Sequence, residues 1–176
     1  MNVVKLSRSL RPRQRLVSVK YFTSSVLNDP DAQSRQDHYL DALVAANPTI
    51  LEVIHGRYQQ KERRCFKCGH KCISYEEKET DVNLATSIVV DVAKDIFDTA
   101  MIVSADSAVA PAVRAARKIR SNMFIFCAFP PKRSSSELKE LMPASFQIGV
   151  AKIRNAQLPD KFTKNGKPYQ RPDKWH

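Results

Sequence analysis

Two continuous apolar segments limit what this chain can fold into. Residues 99–104 read Thr-Ala-Met-Ile-Val-Ser, and residues 123–128 read Met-Phe-Ile-Phe-Cys-Ala. Short runs without polar alternation are typical of strands that are buried on both faces of a parallel sheet. Because such a sheet needs helices to cover its faces, the two segments favour an α/β fold.

Helical patterns alternate with strand patterns along most of the chain. The strongest covers residues 80–96, whose apolar positions from Val82 to Ile96 keep the 3.6-residue spacing of a helix. This alternation predicts a three-layer, Rossmann-like α/β domain with a parallel sheet over residues 1–153. Residues 57–75 are interpreted as a cysteine-bearing insert, and residues 154–176 as an extended basic tail rich in Pro and Lys. Further strands are predicted at 15–24, 50–55 and 146–148, and further helices at 2–10, 32–46, 108–119 and 134–142.

Charge favours a polyanionic partner. The chain has 29 Lys and Arg against 18 Asp and Glu, which gives a net charge of +11. Nucleic acid is the commonest partner of such a chain. One acidic block lies at 76–98, and it suits either a cation site or a solvated helix face. The chain has neither an apolar segment long enough to cross a membrane nor a secretory signal, so we predict a cytoplasmic protein without membrane contact.

Several basic residues lie where they could contact phosphates. Residues 107–136 contain no acid, and Arg114, Arg117 and Lys118 share one face of the helix predicted there. With Lys132 and Arg133 they predict an RNA-binding surface, single-stranded RNA being favoured because nearby aromatic residues can stack on bases. Solvated surface charge is the alternative for each residue.

The cysteines predict a zinc knuckle. Cys65 and Cys68 have the C-x2-C spacing that places two thiolates on one tetrahedral ion, with His70 or Cys72 as further ligands. Free thiols and a disulfide are the alternatives.

Asp106 follows the apolar run 99–104, and ligands of parallel sheets bind beyond the carboxyl ends of strands. A helix-capping role is the alternative for this residue.

Three segments of the chain carry a family resemblance. They are EEKETDVNLA at 76–85, DTAMIVSADSAVAPAVRAARK at 98–118 and FPPKRSSSEL at 129–138. In this order they resemble the NYN domain family, which are PIN-like, metal-dependent ribonucleases. The resemblance implies a carboxylate cluster around Mg²⁺ or Mn²⁺, to which Asp81 and Asp106 correspond. Asn83 and Ser104 flank these two residues and are expected to hold waters or phosphate oxygens.

The chain also departs from the family pattern. The family begins with a strand that ends in an Asp-Gly-x-Asn turn and supplies the first acid, and we expect this chain to begin downstream of that strand. Ser87 and Ala108 stand at two further positions where the family carries acids. We therefore predict an RNA nuclease fold with an impaired site, the alternative being a non-catalytic RNA-binding or protein-interaction module. Without the central strand, exposed sheet edges predict pairing between copies of the chain.

Overall fold

The computed structural model describes residues 1–175. The helices are α1 (Val3–Leu10), α2 (Pro30–Ala46), α3 (Thr80–Ala93), α4 (Ala110–Ile119), α5 (Ser136–Leu141) and α6 (Val150–Asn155). The strands are β1 (Val19–Thr23), β2 (Leu51–His55), β3 (Arg57–Arg64), β4 (Lys71–Lys78), β5 (Thr99–Ile102), β6 (Phe124–Phe129), β7 (Phe146–Gln147), β8 (Lys161–Lys164) and β9 (Lys167–Gln170). The mixed α/β class is thereby confirmed. None of the helices described combines the length and apolar character that crossing a bilayer requires.

The parallel strands form two sheets rather than the one sheet that the sequence predicted. Strand β1 pairs with β2, and β6 pairs with β5 on one side and β7 on the other, all in parallel. Within residues 1–175, no strand pairs with the free edge of β1 or with the free edge of β5. Parallel strands in this number and order are consistent with a PIN-like fold, and both free edges belong to strands that helices cover.

Strand β6 shows why its sequence is apolar throughout. Ile125, Cys127 and Phe129 belong to a core cluster that includes residues of α3, α4 and α5. Ala128 points the other way, into a second cluster that contains Leu6 of α1 and Ala156 after α6. Because successive side chains of a strand point to opposite faces, both faces of this sheet contact helices.

Helix α3 contacts both parallel sheets. Ile88 and Val92 of this helix belong to the core cluster on the β5–β6–β7 side. On the other side the Asp91 carboxylate pairs with the Lys20 ammonium of β1 at 2.7 Å, and both side chains are largely buried. Part of the acidic block therefore joins α3 to β1 instead of facing solvent or a cation. The helix ends at Ala93, three residues before the predicted end, and Asp95 follows with a positive φ of 55°.

The insert forms a hairpin of its own. Strands β3 and β4 pair antiparallel from Arg57 opposite Lys78 to Arg64 opposite Lys71. Most of their side chains are exposed, and both strands make their extensive contacts with each other. Ion pairs across the hairpin stabilise it, for example those of Glu76 with Lys61 and Arg63.

The prediction of an extended tail is wrong. Strands β8 and β9 form an antiparallel hairpin in which Phe162 and Tyr169 stack, with ring centroids 4.9 Å apart. Asn165 and Gly166 make the turn with φ values of 51° and 78°, as a type I′ turn requires. The hairpin contacts α2 through the Lys167–Asp41 ion pair at 2.9 Å.

Candidate metal and nucleic-acid site

Asp106 lies in a turn between β5 and α4. Its backbone N–H donates to the hydroxyl oxygen of Ser104 at 3.0 Å, and its Oδ1 accepts from the N–H of Ala108 at 2.9 Å. The side chain thus caps the 3-10 turn Ser107–Val109, as the structural alternative predicted. One carboxylate oxygen is engaged in the cap, and the residue itself is exposed. The cap leaves Oδ2 without a role in the turn, so capping and cation binding are compatible for this residue.

Asp81 lies in the first turn of α3 and faces the same region. Burial raises the pKa of its carboxyl group above the ordinary value, and the negative charges of Asp106 and then Glu77 raise it further. The two predicted acids therefore come from separate elements to positions where one carboxylate acts on the other. A cation bound between two like charges would stabilise both of them.

Glu77 is an acid near the site that the sequence analysis did not single out. Its Oε1 accepts a hydrogen bond from the backbone N–H of Thr80 at 3.3 Å, at the start of α3. It also accepts from the Thr80 hydroxyl. The sequence did carry a signal for this contact, because Glu77 lies three residues before Thr80, at the predicted start of a helix. Glu77 was considered only as part of the segment that resembles the family. Glu77 is thus bound to the helix start and adds negative charge beside Asp81.

The donor set fits a hydrated hard cation better than a fully enclosed one. Within residues 1–175, no three His, Cys, Asp or Glu side chains are grouped so that they could hold a metal ion together. Mg²⁺ keeps several waters and is commonly bound through one or two carboxylates. Ser104 lies beside Asp106, whereas the Asn83 amide donates to the His55 carbonyl at 3.4 Å. Asn83 therefore ties the start of α3 to β2.

Only some of the basic residues predicted to bind RNA are free to do so, because others make contacts within the protein. The Arg114 guanidinium pairs with Glu137 at 2.8 Å, and Arg117 donates to the Leu141 carbonyl at 2.8 Å. Both arginines thus join α4 to α5. Lys118, Lys132 and Arg133 are exposed, and the described residues include no acid paired with them. These three remain the available cations of the predicted RNA surface.

The cysteines are only partly brought together. Cys65 and Cys68 meet in the loop between β3 and β4, where the backbone N–H groups of Cys68 and Lys67, and then the Cys68 thiol, lower the pKa of the Cys65 thiol. Cys72 lies on β4 and donates to the Arg63 carbonyl at 3.5 Å. The predicted set of Cys65, Cys68, His70 and Cys72 is therefore not gathered around one point, because Cys72 is directed along the strand pair.

The order of these elements can be compared with known protein families. The model of the NYN domain matches residues 1–147. This chain belongs to the NYN domain family. The match includes both Asp81 and Asp106 and the hairpin between β2 and α3, so the candidate carboxylate pair and the cysteine loop both lie inside the NYN domain.

A curated relative extends beyond the region it shares with this NYN chain. The chain is 26% identical over 180 aligned positions to 6-hydroxy-3-succinoylpyridine 3-monooxygenase from Pseudomonas putida. The alignment covers 90% of this chain and 57% of the relative, so the chain spans less than two thirds of the relative's length.

Proposed function

We propose that this NYN domain binds RNA and that its Asp81–Asp106 pair holds Mg²⁺ or Mn²⁺ for phosphodiester hydrolysis, at a low rate in the chain of 176 residues. The observation that carries the proposal is that α3 packs against the turn after β5, which brings the first turn of the helix, with Asp81, toward Asp106. A divalent cation bound between two such carboxylates would replace their mutual repulsion with attraction to the ion.

Each residue of the proposed site has a role that follows from its position in the fold. Asp106 is oriented by its bond to Ala108, so its second oxygen can bind an ion without disturbing the turn. Asp81 supplies the opposing carboxylate from the first turn of α3. A bound Mg²⁺ or Mn²⁺ neutralises charge that develops on a phosphodiester and activates water. Lys118, Lys132 and Arg133 would bind neighbouring phosphates of a single RNA strand.

Metal binding by the pair has a direct test in thermal unfolding. We expect Mn²⁺ at ten times its dissociation constant to stabilise the protein by about 1.4 kcal/mol, since it binds only the folded state. Asp81→Asn and Asp106→Asn should each abolish this gain while keeping side-chain volume. Asp31→Asn is a matched control because Asp31 is also an exposed acid in the first turn of a helix. An equal gain in Asp81→Asn and in the unmodified chain would contradict the proposed metal site.

RNA binding should depend steeply on salt. Each phosphate contact with a single strand contributes about −0.7 to the slope of log K against log salt concentration, through counterion release. We expect Lys118→Ala, Lys132→Ala and Arg133→Ala each to reduce the slope by about 0.7. Lys164→Ala removes an exposed cation of the C-terminal hairpin and should leave the slope unchanged. Fluorescence anisotropy with a labelled single-stranded oligonucleotide measures the slope, and binding insensitive to salt would exclude this surface.

The free edges of β1 and β5 support a further part of the proposal. An additional parallel strand, from a preceding segment or from another chain, would pair with them and join the two sheets into one three-layer domain. Helix α3 contacts both sheets, so it would cover such a strand on one face. A non-catalytic RNA-binding module remains the second candidate, favoured by Ser87 and Ala108 at family acid positions.

A further inference from the structure

The loop between β3 and β4 holds two thiols at a tight turn. The backbone N–H of Cys65 donates to the His70 carbonyl at 2.8 Å, and that of Gly69 donates to the Cys65 carbonyl at 2.8 Å. Gly69 has a φ of +70°, which permits the turn without a Cβ. These two hydrogen bonds fold residues 65–70 into a tight turn around the C-x2-C pair, the spacing that places two thiolates on one zinc ion.

Two thiols make up half of the ligand set that a structural zinc ion takes. Structural zinc takes four ligands in a tetrahedron. Within residues 1–175, no third His, Cys, Asp or Glu joins Cys65 and Cys68 in a group that could hold a metal. The Cys72 thiol is held by the Arg63 carbonyl on the paired strands. In the observed arrangement of side chains, a complete set of four would therefore need ligands from outside the loop.

The loop is open to a partner. Cys65 and Cys68 are both exposed, and Phe66 between them is fully exposed, at 107% of its reference area. The hairpin strands make their extensive contacts with each other, and the loop lies at the end of the hairpin opposite to β2 and α3. Contact with the identical ring of a second copy would remove this fully exposed ring from water.

Charge also favours a thiolate-rich site at this loop. Residues 63–72 contain no acid, and of their four cations Arg63 and Lys71 pair with Glu76 and Glu62 of the strands, which leaves Arg64 and Lys67 for the loop. The Arg64 guanidinium donates to the Gly69 carbonyl at 3.3 Å, so one of these cations is fixed against the loop. Zinc with four thiolates has a net charge of −2, which the basic residues of two loops would offset.

We propose that two copies of this chain join loop to loop around one Zn²⁺, with Cys65 and Cys68 of each copy as the four ligands. The arrangement is an isologous, two-fold interface, because the same pair of residues serves on both sides. Four thiols release their protons to solvent as four Zn–S bonds form, and no oxidant or reductant takes part. The site is separate from the Asp81–Asp106 pair, so its failure leaves the proposed nuclease function untouched.

Sedimentation of the full chain under reducing conditions tests the shared site. With Zn²⁺ we expect a dimer containing one zinc ion per two chains, as measured by mass spectrometry of metal content, and with EDTA a monomer. Cys65→Ser and Cys68→Ser should each lose both the zinc and the dimer. Cys72→Ser is the matched control, since it removes an exposed thiol of the same hairpin, and it should keep both.

Three results would overturn the proposal. They are one zinc ion per chain in a monomer, loss of zinc in Cys72→Ser, and a dimer that persists in EDTA and in Cys68→Ser. The last would indicate pairing through the edges of β1 and β5 instead. Replacement of Zn²⁺ by Co²⁺ gives an independent measurement, because four thiolates around Co²⁺ produce intense visible absorption. That absorption should be absent in Cys68→Ser, whose thermal unfolding must first match that of the unmodified protein in EDTA.

Discussion

Ribonuclease activity of the 176-residue chain should rise by about 100-fold or more when a first strand with its acid is added, because misplaced or missing ligands cost about that factor. The extension is an apolar strand that ends in Asp-Gly immediately before Met1, so that Asn2 completes an Asp-Gly-x-Asn turn. The Asn2 side chain already accepts from the N–H groups of Val4 and Lys5 at 3.1 Å and caps α1. The new Asp would therefore be fixed one short turn from a formed helix.

The measurement is cleavage of a labelled single-stranded RNA with Mn²⁺. The control is the same extension with Asn in place of the new Asp, which restores the strand but not the carboxylate. Ala108→Asp in the extended chain should raise the rate again, since it adds a fourth acid beside Asp106. If the unextended chain cleaves RNA rapidly and Asp106→Ala leaves its rate unchanged, both the site and the impaired-enzyme proposal are wrong.

The largest stability loss should come from Phe129 at the end of β6. This side chain is fully buried in the core cluster formed by α3, α4 and α5. Removing a buried Phe ring costs about 3–5 kcal/mol through lost burial and the cavity left behind. We expect Phe129→Ala to lower the free energy of unfolding in urea by this amount.

Phe124→Ala is the matched control for that substitution. Phe124 begins the same strand and is 44% exposed, so less apolar area returns to water when it is truncated. It should cost clearly less than Phe129→Ala. Equal losses at the two positions would mean that the core is not organised around the carboxyl half of β6.

The sequence predicted well those elements whose apolar residues mark the faces that become buried. Strand β5 lies within its predicted apolar run, and β6 lies within its run except that the strand extends one residue further, to Phe129, because both faces of each strand are covered. The periodic apolar face predicts helix α3, although the predicted range extends three residues beyond the end of the helix at Ala93. The Asp81–Asp106 pairing could not be derived from spacing alone, since it depends on how α3 lies across the carboxyl end of β5.

The sequence analysis did not predict the β3–β4 and β8–β9 hairpins, for different physical reasons. Strands β3 and β4 are mostly exposed and bury no continuous face, so no apolar alternation marks them. The antiparallel backbone ladder holds them together, with exposed cross-strand ion pairs beside it, and neither is visible in a linear pattern. The β8–β9 hairpin did carry a signal, because Asn165-Gly166 is a strong indicator of a type I′ turn. The many Lys and Pro residues around this turn favoured the interpretation as an extended tail.

The self-capped turn at Asp106 affects the thermodynamics of any ligand it binds. The bond that the Asp106 Oδ1 accepts from the Ala108 N–H restricts the rotation of the carboxylate once the chain is folded, and the Ser104 hydroxyl holds the Asp106 backbone N–H. A side chain that is ordered only on binding loses conformational entropy at that moment, worth about 0.5–1.5 kcal/mol for a flexible one. Asp106 loses this conformational entropy when the chain folds, before any ion binds. A binding ion therefore finds the carboxylate already oriented.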